Sequence, residues 1–97
     1  MLHLIYHSPV DKAVLQRIEC ADDVVFFEGA SLQLNKNGQL NIKIQKMVNN
    51  GINLHVLAVE LETRGVSKEE LTLGIKVIDY PYFVELTENS KVIKTWN

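Results

Sequence analysis

Short runs of β-branched and aromatic residues recur along this 97-residue chain, each separated from the next by an interval wide enough to hold a helix. The runs fall at residues 2–6, 24–27, 54–59, 75–78 and 91–96. Consecutive parallel strands need a crossover of about a dozen residues, and every interval meets that length. The alternation therefore predicts an α/β fold, a three-layer α/β/α arrangement with a mainly parallel sheet of about five strands and helices on both faces. Val24, Val25, Phe26 and Phe27 follow one another without polar interruption, as in a strand covered on both sides. Strand order is left open by this pattern.

The intervals carry helix signals. Ser8 is a suitable N-cap, and Pro9 suits the first helical position of a helix over residues 9–21. Asp11 follows Ser8 by three as in a capping box, and Val10, Val14 and Ile18 form one apolar stripe. Gly29 ends the second strand, residues 30–34 suit a helical turn, and Asn35, Lys36, Asn37 and Gly38 form a turn. Residues 40–48 fit two periods: Leu40, Ile42 and Ile44 alternate, whereas Leu40, Ile44, Met47 and Val48 recur at helical spacing. The crossover requirement selects the helix, with Asn49, Asn50 and Gly51 as its stop. Glu60, Leu61 and Glu62 continue into a short helical stretch that Gly65 terminates, and Ser67 with Glu70 forms an S-x-x-E capping box. Asp79 caps a helix over residues 80–88 that stops near Asn89 and Ser90. With no repeat, linker or low-complexity tract, residues 1–97 are expected to form one domain.

Composition narrows the function classes. Hydrophobic residues make up 46% and charged residues 23%, a balance that lets the chain bury a core. The formal net charge is −2 and the ten basic residues are dispersed, so direct binding to nucleic acid is not expected. No apolar run reaches the roughly 18 residues of a membrane span and no leader pattern opens the chain, so a cytoplasmic protein without membrane association is expected. Cys20 is the only cysteine, which excludes an internal disulfide and a cysteine-built metal cage.

Ligands of open α/β sheets usually sit beyond the carboxyl ends of the strands, here at His7 and Ser8, Glu28 and Gly29, Val59 and Glu60, and Asp79 and Tyr80. Gly29, Gly65 and Gly74 stand alone, so neither a dinucleotide fingerprint nor a P-loop is present and no cofactor is expected. His7 and Asp79 suit a base with its orienting carboxylate, but Ser8 and Asp79 already have an explanation as helix caps, which is the favoured reading. His3 and His55 lie within strands without a third ligand nearby; they read as partly buried structural residues, and no metal site is expected. Cys20 is expected half-buried beside Ala13 at the end of the first helix. There the helix dipole and the carboxylates of Glu19, Asp22 and Asp23 disfavour a thiolate, so a structural role outweighs a persulfide-bearing one. Tyr80, Tyr82, Phe83 and Trp96 cluster toward the C-terminus. Trp96, Tyr80 and Phe83 are the interface candidates, with Trp96 equally able to pack back onto its own fold.

Several elements taken together resemble a known family. They are Met1, Leu2 and His3 with Ser8 and Pro9; the run from Asp23 through Phe27 to Glu28 and Gly29; Leu61 with Arg64 and Gly65; Asp79 and Tyr80 with Phe83, Val84, Leu86 and Thr87; and Trp96. In order and spacing they resemble the TusB/DsrH family of sulfur-relay proteins over the whole chain. The resemblance implies a DsrE/F/H-like fold and a place in a heterohexameric sulfurtransferase complex beside TusC/DsrF-like and TusD/DsrE-like subunits. It implies that a TusA-like donor and a TusE-like acceptor exchange persulfide sulfur with that complex, toward 2-thiolation of the tRNA wobble uridine or, in sulfur-oxidising bacteria, toward sulfur oxidation. The principal persulfide cysteine of such complexes lies on the TusD/DsrE-like subunit, which leaves this chain a structural, non-catalytic role. Some DsrH-like members carry a cysteine near the position of Cys20, which keeps a secondary carrier role open. A stand-alone small-ligand binding module is the third reading.

Overall fold

In the computed structural model, which describes residues 1–6, 12–38 and 40–96, five strands form one sheet in the order β4-β3-β2-β1-β5. They are β1 (Leu2–Ile5), β2 (Asp23–Phe26), β3 (Asn53–Leu57), β4 (Lys76–Ile78) and β5 (Ile93–Trp96), and every neighbouring pair is parallel. The helices are α1 (Lys12–Gln16), α2 (Asn41–Asn49), α3 (Ala58–Arg64) and α4 (Tyr80–Asn89), with 3-10 turns at Glu28–Leu34 and Lys68–Glu70. The α/β class and the parallel sheet of five strands agree with the sequence reading.

Strand order decides where the helices lie. From β1 to β4 the chain steps one strand at a time in one direction, so right-handed crossovers place α1, α2 and α3 on a single face. The return from β4 to β5 spans the whole sheet in the opposite sense and places α4 on the other face. Packing agrees with this. Ile5, Val24, Phe26, Leu54 and Val56 share one core with Leu15, Ile44, Met47 and Leu61, whereas Leu2, Val25, Phe27, Leu57 and Ile78 meet Phe83 and Leu86 of α4. No residue of α4 is fully buried.

Most local signals act as read. Residues 41–49 are helical with Ile44 and Met47 buried, while Ile42, which belonged to the competing alternation, is exposed. Gly65 closes α3 at φ +67, a left-handed conformation that a side chain would strain. The Glu70 carboxylate accepts from the Ser67 backbone N–H (3.4 Å) and hydroxyl (3.2 Å).

Most element ends shift by one or two residues, and two shifts bear on the site. β3 stops at Leu57, and Ala58 and Val59 already belong to α3. Regular helix in α1 ends at Gln16, short of residue 21, because the Asp22 carboxylate takes the Glu19 N–H (3.0 Å) and draws the chain out of the helical path. Ala21 then adopts φ +71, with its N–H donated to the Gly51 carbonyl (3.0 Å). The expected helix start at Ser8 and Pro9, with Val10 and Asp11, lies outside the described residues.

Candidate functional site

Consecutive residues of a strand point to opposite faces, and the pair Asp22 and Asp23 at the start of β2 turns this into two buried contacts. Asp22 serves the three-helix face, where its Oδ2 lies 3.0 Å from His3 Nε2; Asp23 serves the α4 face, where its Oδ1 lies 3.1 Å from His55 Nε2. The imidazoles are 2% and 1% exposed, more deeply buried than the sequence reading proposed.

The two pairs differ in their second ring nitrogen. Trp96 Nε1–H donates to His3 Nδ1 (3.2 Å). Because indole N–H can only donate, His3 Nδ1 is an acceptor, and the ring proton sits on Nε2 toward Asp22. Among the described residues, buried His55 Nδ1 has no hydrogen-bond partner. Burial pushes the His55 ring below its ordinary value; Asp23 opposes this through its hydrogen bond and charge, and the Lys76 charge reinforces it. Burial pushes the Asp22 carboxyl up, but the Glu19 amide, His3 and the Met1 amino group together hold it below its ordinary value. Both rings are sealed from substrate, and no cluster of three His, Cys, Asp or Glu able to hold a metal occurs among the described residues. The arrangement joins strands. The signal for it was legible only in part: two aspartates opening a strand, and one histidine in each neighbouring strand.

Cys20 corrects an expectation. It is exposed, in the turn between α1 and β2 at the amino edge of the sheet, opposite the end where α/β folds usually bind ligands. With α1 ending at Gln16, Cys20 lies beyond the helix terminus. Its neighbour is Gly51, where a Cβ would lie 3.1 Å from the sulfur.

At the carboxyl edge, Asp79 acts as the expected cap, its Oδ1 accepting from the Tyr82 N–H (2.9 Å). The proposed partner His7, with Ser8, lies outside the described residues. Glu28 holds φ +50, its N–H donated to Glu60 (3.1 Å), and Glu60 also pairs with Arg64 (3.4 Å). Four rings run from the sheet to the surface: Tyr6 stacks on Phe27 (4.6 Å), Phe27 meets Phe83 edge-on (5.3 Å), and Phe83 meets Tyr80 (6.0 Å). The outermost, Tyr80, is 66% exposed.

The structure thus brings two interface candidates, Tyr80 and Phe83, together and separates the third. Trp96 packs back on the three-helix face, stacked on His3 (6.4 Å) with Lys94 and Arg17 at 5.0 and 5.8 Å from its ring. An open cleft of about 420 Å³, which sequence reasoning did not anticipate, lies between Gln45, Val48 and Asn49 of α2 and Leu73 with Gly74. Among the described residues, no titratable side chain lines it.

The family described as DsrH like protein matches residues 7–93. The chain belongs to the DsrH-like family. That membership makes it a sulfur-relay family member, and the family implies sulfur-relay partners such as DsrE/F-like subunits. Among curated proteins, none matches this DsrH-like chain. Two solved structures share its fold. A protein of unknown function from Methanobacterium thermoautotrophicum, MTH1491, superposes with a TM-score of 0.82 at 12% identity, over 98% of this chain and 96% of that one. The ychN protein from E. coli superposes with a TM-score of 0.80 at 9% identity, over 98% and 97%. Among the described residues of the DsrH-like chain, no helix is long and apolar enough to cross a membrane.

Proposed function

We propose that this DsrH-like chain is the TusB-like, structural subunit of a cytoplasmic heterohexameric sulfurtransferase, which passes persulfide sulfur toward 2-thiolation of the tRNA wobble uridine. The observation that carries the reading is the DsrH-like match across residues 7–93. The geometry supports a structural share of the work: both buried imidazoles are committed to strand contacts, and the aromatic row ends in an exposed Tyr80 suited to a partner surface. In this reading TusC/DsrF-like and TusD/DsrE-like subunits flank the chain, a TusA-like donor and a TusE-like acceptor deliver and remove sulfur, and tRNA is not bound directly. Purification at native abundance, followed by native mass spectrometry, should recover two related small α/β subunits with it in equal number. A lone monomer would overturn the proposal. Loss of 2-thiouridine from total tRNA after deletion of the gene would place the complex in tRNA modification, whereas unchanged thiouridine would direct it to sulfur oxidation.

The exposure of Cys20 favours one second reading, a persulfide carrier within a sulfur-oxidation complex. Incubation with a persulfide donor should then add the mass of sulfur to the wild-type chain and not to Cys20→Ser. An unmodified wild-type chain would reject it.

A further inference from the structure

The unit formed by α4 and β5 is the most lightly held part of the fold. Between Asp79 and Trp96 no residue is fully buried, whereas β1, β2 and β3 are buried almost throughout. β5 is an edge strand paired only with β1. Its side-chain anchor is Trp96, which hydrogen-bonds His3; α4 lies across the opposite face with Tyr82 6.0 Å from His55. One buried histidine therefore stands behind each half of the unit, and among the described residues neither second ring nitrogen meets an acceptor. A protonated His3 would point Nδ1–H at the Trp96 N–H, donor against donor. A protonated His55 would bury an N–H with no acceptor, because Nδ1 has no partner.

We propose that the α4–β5 unit is clamped to the sheet by two neutral imidazoles, and that protonating His3 and His55 releases it while β1 to β4 and the three-helix face stay folded. The surrounding charges are few. Asp22, Arg17, Lys94 and the Met1 amino group face the His3 and Trp96 pair, and Asp23, Lys76 and the Tyr82 hydroxyl belong to the residues around His55. At His55 burial and the Lys76 charge oppose protonation and Asp23 favours it; an added proton breaks the Trp96 contact at His3 and buries an N–H without an acceptor at His55. Release would carry Tyr80 and Phe83 away with α4. Acidity would then control the same surface that the proposed function assigns to a partner, although the clamp itself does not depend on that assignment.

Hydrogen–deuterium exchange of the full chain tests this at about pH 7.5 and about pH 4, the lower value chosen because burial holds His55 below the usual imidazole range, with rates corrected for intrinsic pH dependence. Amides 82–96 should lose protection by roughly tenfold or more at the lower pH while amides 43–57 keep theirs. His3→Gln combined with His55→Gln, which removes both titrating rings, should abolish the selective loss. Equal loss in both segments, no loss in either, or an unchanged response in the double variant would overturn the proposal. Should that variant fail to fold, ¹⁵N shifts of the wild-type imidazoles decide the matter. Ring protonation must coincide with the loss at 82–96, and protonated rings beneath a still-protected α4 would refute the clamp.

Discussion

The same strands of this DsrH-like chain present two unlike faces. On the three-helix face Val24, Leu34, Ile44, Leu54 and Val56 are wholly excluded from solvent, with α1, α2, α3 and the 3-10 turn at Glu28–Leu34 laid against them. On the other face a single helix spans the sheet; Val25 and Leu2 beneath it are buried, but Phe83 and Leu86, which do the covering, are only half-buried. Burial removes apolar area from water in proportion to contact, so the first face concentrates stability and the second leaves more of its apolar surface in water.

Truncation in the heart of each face separates the two most strongly. Phe26, 1% exposed and packed in the three-helix core, should lose about 3–5 kcal/mol on replacement by alanine, read from the midpoint of urea unfolding. Phe83→Ala removes a half-buried ring in contact with Phe27 and Tyr80 and should cost less, about 1–2 kcal/mol. Equal losses would make the α4 face a second core of the same rank.

The difference between the faces was only partly legible in the sequence. Each strand announced itself through local composition, and Asp79, Gly65 and the Ser67 and Glu70 box act locally, so their signals survive intact. Strand order is a long-range property. Without it, nothing in the one-dimensional pattern assigns α4 to a face by itself, or predicts that Asp22 and Asp23 would each reach a histidine on a different strand. The same long-range contact misplaced Cys20: Asp22 takes the Glu19 amide and anchors to His3, and regular helix ends before the cysteine that periodicity had assigned to its last turn. Trp96 was ambiguous for the equivalent reason, since its partner His3 lies at the far end of the sequence.

The two faces also respond to different pH ranges, because each carries one group held below its ordinary value. His55, on the α4 face, takes up a proton less readily folded than unfolded, so stability should fall as pH drops below its ordinary 6.5 and level off below its folded value. Asp22, on the three-helix face, is likewise depressed; its contribution is present above 3.8 and should be lost as pH falls further through its folded value. Urea midpoints measured from neutral to acid pH should thus decline in two stages. His55→Gln should remove the upper stage and leave the lower, and a wild-type profile flat between neutrality and pH 4 would contradict the assignment.

The smallest expected effect on stability falls on Tyr80, and that smallness is informative. Its ring is 66% exposed and touches the fold through Phe83, so Tyr80→Ala should change unfolding free energy by no more than about 0.5 kcal/mol. A residue so placed contributes little to the fold, and the proposed function assigns its ring to a partner surface. Native mass spectrometry of the complex formed by Tyr80→Ala, compared with that of Phe83→Ala, separates the two roles. Tyr80→Ala should lose partner subunits while keeping its urea midpoint, whereas Phe83→Ala should lose both together. A Tyr80→Ala chain that assembles as well as wild type would move the partner surface elsewhere on the molecule and leave the α4 face an unfinished core instead of a docking face.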